Sequence, residues 1–195
     1  MGQPPSVSES DRGAPRRLID LSLREFLDAV ASADHSVPAG GSVAGLAGAS
    51  SAALLALVCA VIQRRTPGVL GNELRVLEQH QRELLKLVDE DADAFDAFVH
   101  ARRTGNGLDA AIERITRIPL AMGWASVEII QLSREVEGHE VRHMHGDVRA
   151  AQHLAQAAVR TAVDIAEANV PLQKDPAARS MLIDEIARLR AKAVS

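Results

Sequence analysis

Residues 37–62, VPAGGSVAGLAGASSAALLALVCAVI, carry no charged side chain, and no other stretch constrains the fold as strongly. A Pro/Gly turn opens onto a helix that is small or apolar on every side, and such a helix has to be buried. Pro38 precedes Gly40 and Gly41, which let the backbone bend sharply, and Ser42 is placed to cap the first turn. The unpaired N–H groups at that helix start form a candidate anion site. Residues 43–62 also reach the roughly 20 residues needed to span a bilayer. Ala, Gly and Ser fill the first half, no aromatic belt flanks either end, and every other segment is amphipathic and charged, so a core helix is expected and no membrane partner. Small residues at Ala44, Gly45, Ala47, Gly48, Ala49, Ser51 and Ala52 let neighbouring helices approach closely. The glycines then serve either close packing or ligand contact.

With 195 residues the chain is expected to form one domain. Hydrophobic residues make up 47% but aromatics only 2%, with no Tyr, so the core must be built from Ala, Leu, Val and Ile, which favours packed helices over sheets. The net charge of −4 is spread along the chain and gathers into no basic face, which argues against a nucleic-acid partner. The one cysteine, Cys59, lies in the apolar helix as a small buried hydrophobe, and nothing suggests disulfides. The start of the chain is rich in Ser, Pro and Gly and lacks an apolar signal core. Residues 1–17 therefore read as a disordered tail on a cytoplasmic protein, and residues 18–195 as the helical domain.

Periodicity lays out the helices. Ser22 and Glu25 form a capping box ahead of Leu23, Phe26, Leu27 and Val30, giving a helix over about 22–33. The apolar helix follows and ends near Gln63. A long helix over about 72–103 carries Val76, Leu77, Leu84, Leu87, Val88, Phe95 and Phe98 at helical spacing. The pattern resumes at Leu108, and Pro119 is expected to kink or restart it, with about 120–137 as a further helix. Asp147 is placed to cap a helix to about Asn169, which Pro171 ends, and Asp175–Pro176 starts a last amphipathic helix through Ile183, Ile186 and Leu189. The architecture expected is all-α, a dimeric bundle of about five to six helices around the buried Ala/Gly-rich helix. That central helix and the Ala-rich segment 150–165 call for more apolar cover than one small bundle supplies.

Within the acidic run DEDADAF, spacing sorts the carboxylates by face. Asp91 is four residues from Leu87 and Phe95, three from Val88 and seven from Leu84 and Phe98, in the middle of the apolar stripe. A carboxyl among apolar neighbours has its charged form disfavoured, which suits it to proton transfer near neutral pH; the alternative is a buried Asp bonded to a backbone or Arg partner. Asp89, Asp93 and Asp96 fall on other faces, as solvated side chains. His139, His143, His145 and Asp147 form a second cluster, in which an i, i+4 pair could share a helical face as metal ligands do. Arg64 and Arg65 suit the helix dipole at their end of the apolar helix and could also hold a carboxylate or phosphate.

Pro38-Ala39-Gly40-Gly41-Ser42, the Ala/Gly-rich helix, LVDEDADAF at 87–95, Ile118-Pro119-Leu120 and Asn169-Val170 occur in an order that resembles the cyclodeaminase/cyclohydrolase family. That family comprises the C-terminal domain of formiminotransferase-cyclodeaminase and the bacterial methenyltetrahydrofolate cyclohydrolases of the serine cycle. The likeness spans about residues 18–189. It implies an all-helical homodimer acting on one-carbon groups that bridge N5 and N10 of tetrahydrofolate. Asp91 would be the catalytic acid/base, with Pro38, Gly40, Gly41, Ser42, Arg64, Arg65, Asp147 and Asn169 binding the folate substrate. No metal and no cofactor is implied, because the methenyl carbon is already a cation. The sequence departs from the family pattern at Ala39, over residues 59–62, at Gly146 and at Gln173. Two other functions follow from those features: a folate-binding or regulatory subunit without chemistry, and a metal-dependent hydrolase using His139, His143 and His145.

Overall fold

The structure is a computed structural model and describes residues 17–34, 36–139 and 143–194. Apart from Arg17, the expected N-terminal tail lies outside the described residues. Six α-helices follow one another: α1 Leu23–Ala31, α2 Gly40–Arg65, α3 Gly71–Thr104, α4 Leu108–Glu137, α5 His145–Asn169 and α6 Pro176–Val194. Short 3-10 turns occupy Leu18–Asp20 and Val170–Leu172. The all-α expectation holds, with no strand among the described residues.

Helices α2 to α5 form an up-down-up-down four-helix bundle, a topology legible from which residues meet. Gly41, Gly45 and Gly48 on α2 face Asp91, Val88 and Leu84 on α3, so these two helices run antiparallel. Gly45 and Gly48 also face Met122 and Ser126 on α4, which therefore runs parallel to α2. Antiparallel α5 meets α2 where the Ser51 hydroxyl donates to the Ala151 carbonyl at 2.6 Å. The small residues of α2 are what allow this closeness. A Cβ on Gly45 would lie 2.9 Å from Val88 Cγ2, and one on Gly48 would lie 2.9 Å from Ser126 Oγ. Helix α6 packs across α4 and α5 through buried Leu182, Ile186 and Leu189. Glu185 fastens it to α4, accepting from Arg117 Nη1 at 2.6 Å and Trp124 Nε1 at 3.2 Å.

Four details correct the sequence-based picture. Helix α2 starts at Gly40 with Ala39 as its cap, so Ser42 lies inside the first turn and its side chain is free for another partner. Helix α4 runs unbroken through Pro119, because the carbonyl that the proline leaves without a donor finds one elsewhere in the fold. Asp147 sits within the first turn of α5 and Met144 holds the cap position, with no side-chain capping bond. On α6 the inward face is Leu182, Ile186 and Leu189, whereas Ile183 is 51% exposed.

Burial of the apolar elements also differs from expectation in an informative way. Ala151, Ala155, Ala158, Ala162 and Ala166 on α5 are completely covered within the protomer. Helix α2, in contrast, is covered by α3, α4 and α5 on three sides only. Val43 and Leu57 on its outer side are 41% and 48% exposed, and Ser50 between them is exposed as well. These three positions recur every seven residues and mark one continuous uncharged stripe.

Candidate functional site

The N-terminal end of α2 meets the middle of α3 at a contact that only glycine permits. A Cβ on Gly41 would fall on the Asp91 carboxyl group, 2.6 Å from its Cγ. With that space empty, the Asp91 carboxyl reaches the first turn of α2. Ser42 Oγ donates to Asp91 Oδ2 at 3.0 Å, and the Ser42 backbone N–H bonds to the same carboxyl. A side chain from α3 thus satisfies one of the N–H groups that α2 leaves unpaired at its start. Burial pushes the Asp91 carboxyl above the usual carboxylate range, and the two Ser42 bonds pull it part of the way back. The spacing argument placed Asp91 on the apolar face correctly; its partner is a serine and a helix terminus, with no arginine among those bonds.

Beside this contact is a cleft of about 190 Å³ lined by Val37, Ala39, Gly40, Gly41, Asp91, Phe95, Ile115, Ile165 and Asn169. Its walls come from four elements: the turn before α2 with the start of that helix, the middle of α3, the first third of α4 and the end of α5. The cleft is smaller than the ~300–1,000 Å³ that encloses a drug-sized molecule, so it has no room to enclose one whole. Pro38, buried and joined to Val37 by a cis peptide bond, shapes the turn above it. Gly40 has ordinary space, a Cβ there lying 3.8 Å from Ile165 Cδ1, so the two glycines of the turn are not equivalent. Phe95, 36% exposed and one helical turn beyond Asp91, stands at the cleft.

Asn169 closes the far wall. Its Nδ2 donates to the Ile115 carbonyl at 3.0 Å, and Ile115 is the residue whose helical partner would be the N–H of residue 119. Since that residue is proline, the side-chain amide fills the vacant position.

The remaining expected site residues are elsewhere. Arg64 and Arg65 are exposed at the opposite end of α2, 24 and 25 residues from Gly40 and therefore about 36 Å away along the helix. Asp147 begins α5, 22 residues or about 33 Å from Asn169. Within one chain these three cannot share a cleft with Asp91. His139 and His143 lie between α4 and α5 and not on a common helical face, and both are exposed, as is His145 at the start of α5. Among the described residues no three His, Cys, Asp or Glu side chains converge as a metal site would require. Asp89, expected to be solvated, instead accepts from Arg17 Nε at 2.9 Å and from the Ile19 N–H at 3.3 Å, strapping the N-terminal segment onto α3.

Sequence reasoning missed Val37, Phe95, Ile115 and Ile165 as cleft walls. For Phe95 and Ile165 a signal existed, since each lies four residues from a site residue on its own helix, Asp91 and Asn169. Ile115 could be found only by asking which carbonyl Pro119 deprives of a donor.

Residues 22–188 match the formiminotransferase-cyclodeaminase family. The methenyltetrahydrofolate cyclohydrolase of Methylorubrum extorquens is 28% identical over 157 residues, covering 72% of this chain and 75% of that protein. The crystal structure of formiminotetrahydrofolate cyclodeaminase from Thermotoga maritima superposes with a TM-score of 0.81 at 22% identity. That superposition covers 89% of this chain and 90% of the other, a likeness of fold.

Proposed function

The chain belongs to the formiminotransferase-cyclodeaminase family, and from that premise we propose that it opens or closes the one-carbon bridge between N5 and N10 of tetrahydrofolate. The observation that carries this reading is a raised, half-buried carboxyl, Asp91, at the wall of a cleft of about 190 Å³. In the hydrolytic direction water attacks the methenyl carbon while the Asp91 carboxylate takes one of its protons. The carbon–nitrogen bond of the resulting adduct then breaks as its hydroxyl proton is released to solvent, and the carboxyl returns a proton to the departing nitrogen, leaving a formyl group. In the deaminating direction N10 attacks the carbon of a 5-formimino group, and the same carboxyl relays a proton from N10 to the amine that leaves as ammonia. A pKa above the ordinary carboxylate range suits both halves of each exchange. Ser42 fixes the carboxyl, and Asn169, Gly40 and Gly41 border the cleft.

The position of the sequence departures favours an enzyme over a silent binding subunit. Cys59 is buried in the core, Gly146 lies at the other end of α5, and Gln173 is spent on the α6 start, where its side chain accepts from the Asp175 N–H at 3.1 Å. Only Ala39 lines the cleft, and its extended backbone, φ −138°, is one that alanine adopts freely. The protein is proposed to work in the cytoplasm as a homodimer paired through the uncharged outer stripe of α2.

The test is the loss of methenyltetrahydrofolate absorbance with wild type and Asp91→Asn. General acid/base work is worth roughly 10²- to 10⁴-fold. A fall in kcat of that order is the expected outcome, with KM changing little. Equal turnover by both proteins would remove the role given to Asp91.

A further inference from the structure

We propose that Pro119 is a positioning residue for the cleft, setting the orientation of the Asn169 side-chain amide from the middle of a helix that never touches the ligand through it. This inference rests on the reading of the cleft as the folate site. Its starting point is an apparent contradiction: a buried proline interrupts α4 and yet the helix does not break. Proline has no N–H, so the Ile115 carbonyl, four residues earlier, loses the donor that any other residue at 119 would have supplied. Ile115 is 6% exposed, and a buried carbonyl left unpaired is unfavourable. The donor comes from 54 residues away, as Asn169 Nδ2 at 3.0 Å.

The consequence lies in the other half of the amide. A carbonyl can only accept, so the Ile115 oxygen dictates that nitrogen, and not oxygen, faces α4. The planar amide is thereby fixed, and Oδ1 is left as an acceptor at a residue that lines the cleft. An acceptor there selects ligands that present a ring N–H, as a reduced pterin does, over ligands that present a carbonyl. A free asparagine would rotate and offer either group. Restoring an N–H at position 119 would return the Ile115 carbonyl to its own helix and release the amide.

Three variants and two readouts test this. Pro119→Ala is expected to raise the dissociation constant for tetrahydrofolate, by calorimetry, by about tenfold. Asn169→Leu is expected to weaken binding at least as much, and Pro119→Ala combined with Asn169→Leu to bind like Asn169→Leu alone, since the proline acts only through the amide. Additive losses in the double variant would overturn the proposal. The second readout needs no ligand: the Asn169 side-chain amide protons, identified by ¹⁵N NMR from their loss in Asn169→Leu, should include one hydrogen-bonded and slow to exchange in wild type and none in Pro119→Ala. Unchanged Asn169 signals in a folded Pro119→Ala would equally overturn it. If wild type binds no tetrahydrofolate derivative, the folate reading falls, while the NMR comparison still decides whether Pro119 orients the amide.

Discussion

At the scale of single residues, Asp91 is the side chain whose environment was most nearly legible in advance. Helical spacing alone put it among Leu84, Leu87, Val88, Phe95 and Phe98, and burial does push its carboxyl up. Its partners could not be read, because Ser42 is 49 residues away and its distance depends on how α2 crosses α3. The same limit explains Asp89, whose periodicity says surface but whose partner, Arg17, is supplied by a chain segment 72 residues earlier. The raised carboxyl has a consequence for stability. A folded-state value above the ordinary 3.8 means that ionisation is harder in the native protein than in the unfolded chain. The contribution of Asp91 is therefore fully present below pH 3.8 and is lost as pH rises through the native value. Asp91→Asn, which keeps the shape and cannot ionise, is expected to melt at a higher temperature than wild type near pH 7. The gap should close as the pH is lowered toward 4. A gap that widens on acidification would contradict the burial argument, and calorimetric scans across that range measure it.

At the scale of elements, the sequence located the helices to within a few residues except α4, which it expected to kink or restart at Pro119, because an apolar face repeating every three or four positions is a local property. Where expectation failed, a tertiary contact had replaced a local one. Ser42 was free to bind Asp91 because Ala39 caps α2, and α4 survives Pro119 because α5 lends an amide. The cleft was only half legible for the same reason: its polar members came from motifs, while Ile115 and Ile165 depend on the bundle being assembled. The crossing of α2 and α3 separates two neighbouring glycines that look alike in sequence. Gly41→Ala puts a methyl where the Asp91 carboxyl sits, so the carboxyl must leave Ser42 or the helices must part; overpacking of this kind is destabilising by about 1–3 kcal/mol. Gly40→Ala meets nothing closer than 3.8 Å and removes a flexible residue from the first helical turn. It should leave stability within about 1 kcal/mol of wild type or raise it, since alanine favours the helix. Denaturant midpoints of the two variants measure this difference, and a Gly41→Ala protein as stable as Gly40→Ala would show that the contact is not tight.

At the scale of the whole molecule, four helices enclose most of the apolar surface, and the outer side of α2 is the notable remainder. The Ala-rich part of α5, which the sequence suggested would need a second subunit, is sealed within the protomer, whereas α2 leaves Val43, Ser50 and Leu57 uncovered along its outer side. Leu57→Glu places a charge at the C-terminal end of that stripe without touching the cleft. Light scattering at micromolar concentration should then report a 20.8 kDa monomer for Leu57→Glu and twice that mass for wild type. A monomeric wild type would remove the proposed pairing. The inner side of the same helix carries Cys59, fully buried and the one cysteine of the sequence. Burial, with help from the Glu73 carboxylate, pushes its thiol up to about 11. A thiol reagent can therefore reach a reactive sulfur only after α2 has left the bundle. The chain carries its own unfolding clock: under native conditions the rate of Cys59 modification should track the opening free energy of the entire core, so that any variant described above can be ranked for stability without denaturant.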